Sequence, residues 1–122
     1  MDDESLIVAK GTKRTIAYAI CRDGSSPAKE FLASLTGSEA AKLAILFKRM
    51  ALIGTVGNEQ HFRKEGKKIW AFKRDQMRVG CFQEGTTWFL THGFKKKKDK
   101  WPKSELERAE RIHAEHLERS NK

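Results

Sequence analysis

The chain has 122 residues, 39% of them hydrophobic, and a formal charge of +9 with a pI near 9.8. That is enough apolar material for one modest core and not for two. No apolar run approaches the ~20 residues that cross a bilayer, and the start Met1-Asp2-Asp3-Glu4 is acidic where a secretory leader is basic, so a cytoplasmic protein without a membrane segment is expected.

Residues 1–14, with a short apolar run Leu6-Ile7-Val8, read as an N-terminal extension ahead of a single domain over residues 15–120. Thr15 to Cys21 alternates Ile16, Tyr18 and Ile20 with Ala17, Ala19 and Cys21, and both sets are apolar, as in a strand covered on two sides. Asp23-Gly-Ser-Ser then turns the chain, and Ser26 as N-cap with Pro27 at the first helical position opens a short helix to about Thr36. Gly37 is placed to stop it. Ser38 is placed to cap a longer helix to about Ile53, with Ala40, Leu43, Ala44, Phe47 and Ala51 on one face and Gly54 beyond its end.

A polar loop from Thr55 to Arg63 leads into three strand-like runs, Lys67–Lys73, Met77–Gln83 and Thr86–Phe94. Their connections are short enough to require antiparallel neighbours. Ser104-Glu-Leu-Glu107 has the S-x-x-E form of a capping box, opening a charged helix to about Arg119 with Leu106, Ala109, Ile112 and Leu117 inward. The order β-α-α-β-β-β-α defines an α+β domain: a small antiparallel sheet packed on an N-terminal helical hairpin, helices segregated to one side, and a C-terminal helix.

Cys21 and Cys81 have neither C-x-x-C spacing nor histidines at metal-site spacing, and each lies in an apolar run. They read as buried thiols, with no metal or cofactor implied. The charge is concentrated: His61 to Lys103 holds thirteen Lys or Arg against four Asp or Glu, while the remainder balances at twelve of each. A neutral scaffold carrying one basic segment suits a phosphate-rich partner such as nucleic acid better than a neutral small substrate.

Strand alternation gives that segment a geometry. Trp70 and Phe72 are expected to meet the helices, which leaves Lys67 and Lys73 on the open face; Met77, Val79 and Cys81 suit the core, which aims Arg78 at the same open face. In the third run Trp88, Leu90, His92 and Phe94 share one side and Thr87, Phe89 and Thr91 the other, and periodicity leaves open which side is buried.

The pattern Ile69-Trp-Ala-Phe-Lys73, then Met77-Arg-Val79, then Phe89-Leu-Thr-His-Gly-Phe-Lys-Lys96, then Trp101-Pro before a helix bearing Ala109, resembles toxins of the RelE/ParE superfamily. It is most similar to their HigB-like, phage-derived branch, over about residues 15 to 117. The resemblance implies a compact RNase-like fold, metal-independent cleavage of messenger RNA in the ribosomal decoding site, and neutralisation by a cognate antitoxin, commonly of helix-turn-helix type. It equally admits a ParE-like inhibitor of DNA gyrase, or an RNA-binding domain without turnover, because fold does not dictate chemistry.

Metal-free RNA cleavage needs a base for the 2′-hydroxyl proton, a cation over the five-coordinate phosphate and an acid for the leaving 5′-oxygen. The resemblance puts Arg78 at the family's strand arginine, Lys73 at a position usually held by another basic residue, and Lys95 at the first cation after the third strand. A cluster of cations lowers the pKa of a member lysine, which suits it to proton transfer. His92 reads either as a proton donor or as a hydrogen-bonded core histidine. His61, Arg63, Lys67, Lys68, Lys96, Lys97 and Lys98 are the candidates for holding RNA by charge, and Trp101 is either a staple for the last helix or a ring for base stacking. His113 and His116 read as surface residues. Ala71 stands where relatives often carry an acid.

Overall fold

The computed structural model describes residues 4–96 and 101–120. After a 3-10 turn (Glu4–Leu6) come β1 (Ile7–Lys10), β2 (Thr15–Tyr18), α1 (Pro27–Ala33), α2 (Gly37–Ile53), β3 (Phe62–Lys64), β4 (Trp70–Arg74), β5 (Met77–Glu84), β6 (Thr87–Lys95) and α3 (Lys103–Ser120). The expected order therefore gains two short strands. Ile7–Lys10, read as extension, pairs antiparallel with β2, and Phe62–Lys64, read as loop, pairs antiparallel with β4.

The six strands form one sheet in the order β1-β2-β6-β5-β4-β3. It is mixed and not purely antiparallel, because β2 runs parallel to β6. The α1–α2 hairpin that separates β2 from the rest of the sheet supplies the long connection a parallel neighbour requires. Nor do the helices keep to one side. Ala28 of α1 and Leu43, Leu46, Phe47 and Met50 of α2 share a core with Ile16, Phe72, Met77, Val79, Cys81, Trp88 and Leu90. Ala109 and Ile112 of α3 share a second core with Ala19, Ile69, Ala71, Phe82 and Trp101. A sheet apolar on both faces needs cover on both.

Local signals set the helix ends. Ser26 accepts a hydrogen bond from the Lys29 backbone with Pro27 at the start of α1, as expected. For α2 the cap is Thr36, not Ser38: Thr36 and Glu39 form a full capping box, Gly37 is the first helical residue, and Gly54 closes the helix in the left-handed region. The Thr36 hydroxyl accepts the Glu39 N–H and the Glu39 carboxylate accepts the Thr36 N–H, a reciprocal pair that Ser38, with Ala41 three residues on, could not form. α3 starts at Lys103, so Ser104 falls inside the first turn and the Glu105 N–H donates to the Pro102 carbonyl.

Along β6 the simple alternation fails. Val79 faces Gly93 while Cys81 faces Leu90, so one extra residue is accommodated in β6 and Thr91 and His92 stand opposite Gly80. Such a bulge reverses the facing of every side chain beyond it. His92 and Phe94 consequently lie on the α3 side with Trp101, and Lys95 lies on the α2 side.

Candidate active site

β4 and β5 are joined by a tight turn in which Asp75 takes φ 53°, a left-handed conformation that a short polar side chain tolerates. The register that follows places Lys73 directly opposite Arg78. Both are close to fully buried, at 9% and 7% exposure. The turn also holds the guanidinium, since Arg78 Nη1 donates to the carbonyls of Asp75 at 2.8 Å and Met77 at 2.9 Å. An arginine fixed by its own turn is held in one orientation, which is what a preorganised anion contact requires.

These two cations open into a cleft of about 430 Å³ lined by Glu59, Gln60, Arg63, Lys73 and Arg78. Arg63 comes from β3, where it pairs across the ladder with Ala71, so the strand that was read as loop supplies a third cation. Glu59 and Gln60 sit in the turn ahead of β3, which Asn58 organises by accepting the Gln60 N–H on its side chain at 2.8 Å and the His61 and Phe62 N–H groups on its carbonyl. The His61 carbonyl accepts from the Lys73 backbone at 2.8 Å and ties that turn to β4. Glu59 is the residue that sequence reasoning passed over. No spacing marks it, and only folding carries a carboxylate from this loop to the cleft lined by the cations of β4 and β5.

Lys95 is not in the cleft. It lies opposite Met77 and its Nζ pairs with Glu39 Oε2 at 2.8 Å, on the far side of the sheet from Arg78. His92 is not there either. It is fully buried, with Nδ1 3.3 Å from the Thr91 hydroxyl and Nε2 3.2 Å from Glu105 Oε1, and its ring packs beside Phe94 and Trp101. Burial, helped by Arg108 and Arg111, pushes its pKa down to about 4. The Glu105 contact acts the other way and is outweighed, so the ring is neutral, donating from Nε2 to Glu105 and accepting at Nδ1 from Thr91. It is the core histidine of the two readings.

Lys67 and Lys68 are exposed in the β3–β4 turn, outside either strand, and His61 is half-buried at the start of β3. Lys96 is buried, with its backbone N–H donating to Gln76. Lys97 and Lys98 lie outside the described residues. Trp101 is buried and meets Phe94 edge-on at 4.7 Å, so it pins α3 and offers no stacking face. His113 and His116 are not surface residues: His113 stacks on Phe82 at 4.1 Å, and His116 packs on Phe89 and accepts the Ile20 N–H at Nδ1. Burial holds both below the usual histidine range. Cys21 and Cys81 are buried free thiols, with burial raising both pKa values.

Among the described residues no helix is long and apolar enough to cross a membrane. No group of three or more His, Cys, Asp or Glu side chains gathers there that could hold a metal ion. No curated protein matches the chain. The profile of a family described as phage-derived protein Gp49-like (DUF891) matches residues 30–113, a span that runs from α1 into α3 and takes in every residue lining the cleft. The chain belongs to this family of phage-derived, Gp49-like proteins.

Proposed function

We propose that this protein is the toxin of a type II toxin–antitoxin pair, of the RelE/ParE superfamily and its HigB-like branch, and that it cuts messenger RNA on the ribosome in the cytoplasm. The observation that carries the reading is the cross-strand pair Lys73 and Arg78 at a cleft shared with Arg63 and Glu59. Three cations and one carboxylate are the groups that in-line cleavage of RNA by its own 2′-hydroxyl requires.

In that reaction the 2′-oxygen attacks the adjacent phosphorus and the bond to the 5′-oxygen breaks, leaving a 2′,3′-cyclic phosphate and a 5′-hydroxyl. Glu59 takes the 2′-hydroxyl proton. Arg78, already oriented by the turn carbonyls, holds the non-bridging oxygens as charge accumulates on them. Lys73 supports the same phosphate and supplies the proton that the departing 5′-oxygen takes up. Arg63, Lys67 and Lys68 hold the flanking backbone by charge, which gives salt-sensitive affinity without base choice. Positioning of the message is left to the ribosome, and neutralisation to an antitoxin of helix-turn-helix type.

The test is to map messenger RNA 5′ ends in a translating extract with wild type and Arg78→Ala. Cuts within translated message are expected with wild type, and the substitution is expected to slow them by about 10²-fold or more. Intact message with wild type overturns the reading, and arrested DNA replication alongside it assigns the chain to gyrase inhibition. Cleavage of naked RNA at the same rate removes the dependence on the ribosome.

A further inference from the structure

We infer that the groove between β1 and α2 docks an acidic amphipathic helix of a protein partner. The large hydrophobic side chains exposed among the described residues are Ile45, Leu52 and Ile53, at 59%, 50% and 61%, and all three belong to α2. Ile45 and Leu52 are seven residues apart, two helical turns on one face. With Val8 and Ala9 of β1 they wall a groove of about 350 Å³ whose lining also includes Lys10 and Lys48. β1 is one of the two edge strands of the sheet, so the groove runs along the border of the fold.

Charge selects the occupant. The two segments that build the groove, residues 7–14 and 40–54, contain no Asp or Glu, while Lys10, Lys13, Lys48 and Arg49 are exposed on them. In sequence these cations are hidden by carboxylates elsewhere in the balanced part of the chain; in the fold Lys10 and Lys48 line the groove beside its apolar floor. A second copy of this chain docked on the same patch would bring Lys48 and its neighbours against themselves, a like-charge contact that a two-fold interface cannot avoid. A nucleic acid would meet side chains that make no phosphate contact at the centre of the patch. A helix with apolar residues at i, i+4 and i+7 and carboxylates flanking them satisfies both the floor and the rim. In the toxin reading that helix belongs to the antitoxin, but the chemistry of the groove does not depend on that reading.

The probe is a fluorescein-labelled peptide of about 18 residues, long enough to be helical, with Leu at i, i+4, i+7 and i+11 and Glu flanking them. Two controls accompany it, one of the same composition with the Leu positions scrambled and one with Lys for every Glu. Titrated with the full chain, the acidic helix is expected to bind with a Kd on the order of 10 μM. The scrambled and basic controls are expected to bind at least about tenfold more weakly. Ile45→Asp with Leu52→Asp is expected to weaken the acidic peptide by about tenfold or more, and Lys48→Glu to weaken it with a shallower salt dependence.

All three substitutions fall at exposed positions on the side of the sheet away from the cleft, so the melting temperature and messenger RNA cutting of both variants are expected to stay at wild-type values. No binding up to about 500 μM, equal affinity for the scrambled peptide, or unchanged affinity in the double variant overturns the inference. So does sedimentation showing dimers that the double variant abolishes, or displacement of the peptide by an RNA oligonucleotide. Cutting without peptide binding rejects the groove alone, and peptide binding without cutting rejects the nuclease reading alone.

Discussion

Lys73 and Lys95 are alike in a list of residues and opposite in the fold. Each is a lysine at the end of a strand in a basic segment, yet Lys73 stands beside Arg78 and Lys95 is engaged with Glu39 on the other face. Lys95→Ala is therefore expected to change single-turnover cutting by less than about threefold, since it removes a half-exposed ion pair of small worth, whereas Lys73→Ala is expected to cost about 10²-fold or more. Equal losses would place the chemistry elsewhere. Glu59→Gln keeps the shape and removes the basicity. It is expected to slow the cut by about 10²-fold or more while binding of the message stays within a few fold, and a wild-type rate in a single-turnover assay would deny Glu59 its role.

At the scale of elements, two glycines and one bulge decide which faces meet. A Cβ at Gly80 would stand 2.6 Å from Thr91 Oγ1 and 3.1 Å from the Trp101 ring, and one at Gly93 would enter the ring of Phe31. These positions let α3 with Trp101 approach one face of the sheet and α1 the other. Gly80→Val is expected to lower stability by about 1–3 kcal/mol through overpacking, read as a shift in the urea midpoint. Gly57→Ala, where a Cβ meets nothing within 4 Å, is expected to leave the midpoint unchanged. The β6 bulge between Leu90 and Gly93 has the larger functional consequence, because it turns His92 into the α3 core and Lys95 away from the cleft. No residue in Leu90-Thr-His-Gly-Phe announces it. A bulge is settled by what lies across the ladder and above the sheet, here Gly80 and Trp101.

For the molecule as a whole, the two-sided sheet makes stability depend on neutral histidines. His92 titrates near its ordinary 6.5 when unfolded and at about 4 when folded, so between these values the unfolded chain binds more protons. Stability is complete above about pH 6.5 and falls as pH drops towards about 4, by on the order of 3 kcal/mol for this one group. His113 and His116, also shifted down by burial, add losses of the same sign in that window. Asp23, Glu39 and Asp75, held low chiefly by hydrogen bonds from Ser25, Lys95 and Lys42 respectively, lose their contribution at lower pH still. Urea midpoints measured from pH 7 to 4.5 are expected to fall steadily, and His92→Gln to flatten part of that slope; a flat wild-type profile would contradict a neutral buried ring.

The α+β class, the three helices, the strands β2, β4, β5 and β6 and the crowding of cations into one segment could all be read from the chain, because periodicity, caps and short connections act over a few neighbouring residues. The burial of Lys73 and Arg78, expected on an open face, could not be read, because tertiary packing leaves both nearly covered. The strands at Ile7–Lys10 and Phe62–Lys64 could not, since each is short and exists only through pairing with β2 and β4. The carboxylate at Glu59, the reversal of Lys95 and the second cationic patch around Ile45 and Leu52 depend on residues far apart in sequence meeting in space. Local chemistry specified which side chains were available. Register, bulge and the packing of both sheet faces decided which of them share a cleft.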